Sequence, residues 1–86
     1  MKLIFCKKCQ DVRKLLFEAV ICACGSSGGV YLDDGINATY WGEAVPLGFD
    51  NFSLARAIEN QPNSGSGERF TAFVIPKKCP TYKSLD

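Results

Sequence analysis

Cys6-Lys7-Lys8-Cys9 and Cys22-Ala23-Cys24-Gly25 are separated by the twelve residues Gln10 to Ile21, and this arrangement decides how the chain is read. Four thiols arrive as two close pairs. A Cys-x-x-Cys turn sets two sulfurs on one side of an ion, and a second corner closes the other side. Tetrahedral zinc asks for four such ligands at about 2.3 Å. Lys7 and Lys8 lie inside the first pair, where positive charge favours thiolate over thiol. The second pair, Cys-x-Cys, is one residue tighter than the usual knuckle, and Gly25 behind it supplies backbone freedom. The spacing predicts a structural zinc site on Cys6, Cys9, Cys22 and Cys24. A redox dithiol at Cys6 and Cys9, a rubredoxin-like iron and a pair of disulfides remain as alternatives. Cys79 is the odd thiol.

Through C6-K-K-C9 and C22-A-C-G25 the chain resembles the zinc-ribbon group over residues 3–32, and it is more distantly similar to rubredoxin-type knuckles. Gln10 stands where a Gly often follows the first pair. The run CACGSSGGVYLDDG, residues 22–35, also resembles small uncharacterised zinc-ribbon proteins of bacteria and phages. The resemblance implies a rigid platform for protein or nucleic-acid contacts, and a phage origin. It brings no activity with it.

Outward from the cysteines the pattern is mostly strand. Leu3-Ile4-Phe5 runs into the first knuckle. Asp11 to Ile21 fits either period, and the need to bring two knuckles together favours strand. Ser26-Ser27-Gly28-Gly29 reads as a flexible connection before a strand at Val30-Tyr31-Leu32. Asp33-Asp34-Gly35 is turn chemistry. Ile36 to Trp41 returns, broken or bulged at Gly42, and Glu43 to Phe49 is extended, an edge strand by virtue of Pro46. Asp50 or Asn51 caps a helix to Asn60 with Leu54, Ala55 and Ile58 on its buried stripe. Asn60 to Glu68 is a polar loop, Arg69 to Ile75 a strand, and Lys77 to Asp86 a loosely ordered tail. The expected fold is α+β. It is a single domain, 1–86, with a zinc-ribbon part at 1–30, an antiparallel sheet with one covering helix at 30–75, and a tail at 76–86.

The chain has 86 residues, 47% hydrophobic and 22% charged, in the range of an ordinary globular domain. It contains no His, which removes Ser-His, Cys-His and HExxH chemistry. The net charge of +1 argues against a strong duplex-DNA binder. Lys2, Lys7, Lys8, Arg13 and Lys14 make one end basic, and Arg69, Lys77, Lys78 and Lys83 the other. The middle is acidic. If the ends meet, Lys7, Lys8, Lys77 and Lys78 form an anion-attracting patch. Trp41 sits on the opposite strand face from Tyr40 and is the aromatic expected to meet a partner. The apolar run Leu3 to Phe5 is too short for a signal peptide, so a cytoplasmic protein is expected.

No nucleophile is paired with a base, and a four-sulfur site leaves no open metal position. The expected function is therefore non-enzymatic: a zinc-binding protein-interaction module or inhibitor, capable of forming homo-oligomers. A nucleotide or nucleic-acid binder, including a nucleotide-sequestering protein, is the alternative. A Cys-based redox or metal-handling protein is the third reading.

Overall fold

The computed structural model describes all residues, Met1 to Asp86. Its strands are β1 (Lys2–Cys6), β2 (Val12–Lys14), β3 (Val20–Ile21), β4 (Ser27–Tyr31), β5 (Ala38–Gly42), β6 (Ala44–Phe49), β7 (Ala72–Val74) and β8 (Tyr82–Ser84), with one helix, α1 (Asn51–Glu59). The fold is α+β. One sheet has the order β2-β1-β6-β7 and is antiparallel throughout. The other has the order β3-β4-β5-β8, antiparallel except for the parallel pair β5–β8.

The chain passes between the sheets three times, after β2, β5 and β7, and most tightly between β5 and β6. Gly42 makes the corner with φ +71°, and Glu43 N–H donates to Ser26 O at 2.9 Å. A Cβ on Gly42 would stand 2.0 Å from Ser26 O, so no other residue fits. The core uses both sheets: Ile4, Leu15, Ala38, Tyr40, Ala44, Ile75 and Tyr82. Tyr40 and Tyr82 meet edge to face at 5.1 Å.

Several expectations change. Ser27-Gly28-Gly29 is strand rather than a flexible connection. The Trp41 indole lies against Gly28, and Leu15 and Ile4 press on Gly29, so a side chain at either position would collide. Glycine in a strand here marks close approach. β6 is a central strand, despite Pro46. Ile75 N–H donates to Pro46 O just past the end of β7, so the missing proline N–H falls where that ladder stops and costs a single bond. Residues 76–86 are not a loose tail. Tyr82 is fully buried, its hydroxyl donates to Leu3 O at 2.8 Å, and β8 pairs with β5.

The helix begins at the Asp50 cap, whose carboxylate accepts from Phe52 N–H. It is strapped to the strand approach at residues 69–71: Asp50 N–H donates to Thr71 O, and Thr71 N–H to Ser53 Oγ. That anchoring turns Ala57 inward. Ile58 and Phe52 are exposed, so the expected Leu54/Ala55/Ile58 stripe is not the buried face.

Candidate metal centre

Two hairpins end at one place. The first knuckle joins β1 to β2, and the second joins β3 to β4. The strand expected over Asp11 to Ile21 is met only in part: β2 and β3 are short, and residues 15–19 between them leave the strand with a bend at Phe17 and Glu18. Cys6, Cys9, Cys22 and Cys24 bring their Sγ atoms within 4.8 Å of one another. Cys6 Sγ lies 3.8 Å from Cys24 Sγ, and Cys22 Sγ 3.6 Å from Cys24 Sγ. An ion with four sulfurs at about 2.3 Å separates them by about 3.8 Å, so the arrangement fits a tetrahedral metal. All five cysteines are free thiols. Cys79 lies apart from the cluster, beside Thr81 Oγ1 at 3.5 Å and against the core.

Both knuckles end on a residue with left-handed backbone. In the first, Gln10 has φ +63° and its N–H donates to Cys6 O at 2.8 Å. In the second, Gly25 has φ +81° and its N–H donates to Cys22 O at 3.0 Å. The Cys-x-Cys pair thus reaches the same geometry with one residue fewer. Each knuckle offers one buried sulfur, Cys6 and Cys22, and one more open to solvent, Cys9 and Cys24.

Backbone amides point at the buried sulfurs. Cys9 N–H faces Cys6 Sγ at 3.5 Å, and Ser27 N–H faces Cys22 Sγ at 3.3 Å. Burial pushes the Cys22 thiol up, but the Ser27 amide and the neighbouring sulfurs pull it further down, to about 6. The Ser27 hydroxyl beside Cys6 is the main influence holding that thiol below its ordinary value. Cys9 moves the other way: the Asp11 amide favours its thiolate, yet burial and the sulfurs of Cys24 and Cys6 raise it. Cys6 and Cys22 are therefore readier thiolates than Cys9.

Asp11 and Ser27 are missed by cysteine spacing. The Asp11 carboxylate accepts from Arg13 Nε at 2.7 Å and from Ala23 N–H at 2.8 Å, so it ties the first knuckle to the second. Arg13 first, then the Ala23 amide, holds Asp11 below the carboxylate range. Ser27 is fully buried, and its Oγ has no hydrogen-bond partner. In the sequence it hides inside a Gly/Ser run that looks like a linker.

The two basic ends meet in part. Lys7 and Lys77 line one cleft of about 370 Å³, shared with Asp86, and Lys7 Nζ lies 3.8 Å from Glu43 Oε2. Lys78 borders a neighbouring cavity with Lys77 and Lys83. Lys8 is exposed and lines neither. Trp41 is half-buried over Gly28. No helix is long and apolar enough to cross a membrane. Comparison with protein families, with curated proteins and with solved structures finds no match to this chain.

Proposed function

We propose that this protein is a non-catalytic binding module of zinc-ribbon type, stapled by a structural zinc, which engages a protein partner along the open edge of β7. Zinc suits the all-sulfur donor set, and four protein ligands leave no position for a reacting water. The observation that carries the binding reading is the β7 edge. Thr71 O and Ile75 N–H are bonded toward β6, so alternation turns the N–H and C=O groups of Ala72 and Val74 outward. Phe73 and Val74 are 50% and 68% exposed. A row of free backbone groups beside exposed apolar side chains is a template for a further strand. Arg69 precedes this edge and Lys77 and Lys78 follow it, so the occupant is an extended peptide, apolar in its middle and acidic at its ends.

Titrating the ¹⁵N-labelled protein with a peptide alternating valine and threonine between terminal glutamates tests this. Shifts centred on Ala72 and Val74, lost in Val74→Pro, support the reading. Shifts elsewhere, no shifts at millimolar peptide, or a dimer joined through β7 in place of the peptide complex overturn it.

A second reading has its own observation. Lys77, Lys78 and Lys83 wall a cavity of about 500 Å³ with no carboxylate among its lining residues, which suits an anion such as a nucleotide. That binding would fall steeply with salt, and Lys78→Glu with Lys83→Glu would remove it.

A further inference from the structure

The largest cleft of the molecule, about 570 Å³, opens between the two sheets. Lys2 and Phe73 line it from one sheet and Tyr31 from the other, with Ile36 on the turn between β4 and β5. Phe73 and Ile36 are 50% and 62% exposed, yet both border this one space. The Phe73 ring lies directly over Gly48 of β6, where a Cβ would stand 2.5 Å from it. Gly48 thus lets an aromatic ring settle onto the sheet. A cleft of this size, with apolar walls and few polar groups, is the usual form of a small-molecule site.

Lys2 carries the only side-chain charge in the lining. It spans the gap between the sheets: its backbone N–H donates to Tyr31 Oη at 3.1 Å, and its Nζ donates to Ile36 O and sits 5.8 Å from the centroid of the Tyr31 ring. An ammonium has three donors, so two stay free for a ligand. Lys2 forms no ion pair. Asp34 lies within electrostatic reach of it, but the Asp34 carboxylate accepts from Ile36 N–H and Asn37 N–H at 2.9 Å each. One held cation beside apolar walls suits a monoanion with an apolar body. The Phe73 ring offers that body an aromatic surface to pack on. We propose that this cleft binds a small aromatic carboxylate, its ring against Phe73 and Ile36 and its carboxylate on the Lys2 ammonium. The site goes beyond the β7 edge and needs no strand beside Ala72 and Val74.

The test titrates the full ¹⁵N-labelled chain with 2-naphthoate and, separately, with its neutral amide, 2-naphthamide. Naphthoate should shift the amides of Ile36, Gly48 and Phe73, and the neutral amide should bind about fivefold more weakly, the worth of a partly exposed ion pair. Lys2→Met keeps the aliphatic stem over Tyr31 and should bind acid and amide alike, while Lys2→Arg should keep the preference for the acid. Ile36→Ser, at an exposed turn position, should weaken both ligands together, about tenfold. The ¹⁵N spectrum of each variant shows directly whether it is folded. No shift at millimolar naphthoate, shifts centred on residues 54–70 instead, equal affinity for acid and amide in the wild type, or a preference for the acid that survives Lys2→Met overturns the site. Any of these leaves the metal centre and the β7 edge standing.

Discussion

The two knuckles perform one task with different material. The first takes Cys-x-x-Cys and then Gln10 at φ +63°, while the second takes Cys-x-Cys and then Gly25 at φ +81°. A left-handed backbone costs an L-residue about 1–2 kcal/mol, and glycine carries no such penalty. The first knuckle tolerates the strain because it is tied on several sides: Cys6 N–H to Asp11 O, Lys7 N–H to Glu43 O and Gln10 N–H to Cys6 O. The second is shorter and has matching ties, Cys22 N–H to Ser27 O, Glu43 N–H to Ser26 O and Gly25 N–H to Cys22 O, with Ala23 held across to Asp11. The lesson is that the two knuckles share one pattern of backbone ties and differ in length and in the residue that takes the left-handed turn.

Removing a buried sulfur should erase that difference and give the largest effect. Cys22→Ser, or a strong chelator on the wild type, forfeits a share of the roughly 10–16 kcal/mol a structural zinc supplies. The expected outcome is loss of the cooperative thermal transition together with loss of metal by elemental analysis. A variant that melts like wild type would remove the metal from the architecture. Gly25→Ala comes next. A Cβ there meets nothing within 4 Å, so the cost is backbone strain alone, about 1–2 kcal/mol in chemical denaturation. Asp11→Ala should cost about 1 kcal/mol, because the link to Ala23 N–H is partly open to water. Its rate of metal loss should rise more than its stability falls; equal rates would show that Asp11 does not couple the knuckles. Gln10→Gly is the smallest change and has the opposite sign: relief of strain, less the added freedom of the unfolded chain, gains up to about 1 kcal/mol. If it destabilises instead, the Gln10 side chain holds the first knuckle in some other way.

The sulfur cluster was legible because spacing and ligand chemistry are local. So were the Asp33–Gly35 turn, where the Asp34 carboxylate accepts from Ile36 and Asn37 N–H, and the Asp50 helix cap. What depended on distant partners was not legible. Tyr82 and its neighbours look like a polar tail until β5 is there to receive them. Gly28 and Gly29 read as slack until Trp41, Leu15 and Ile4 occupy the space above them. The helix period marked Leu54 and Ile58, but the tether from Ser53 to Thr71 chose Ala57. Pro46 argued for an edge because its sequence cannot show that β7 stops one residue short.

The bond from the Tyr82 hydroxyl to Leu3 O joins two residues 79 positions apart in the chain. On a ribosome, both knuckles emerge long before Tyr82 does. The four cysteines are therefore synthesised before the tyrosine that closes the core. Loss of residues 82–86 would accordingly be felt first at Leu3 and Ile4 in β1, distant in the chain but adjacent in the core.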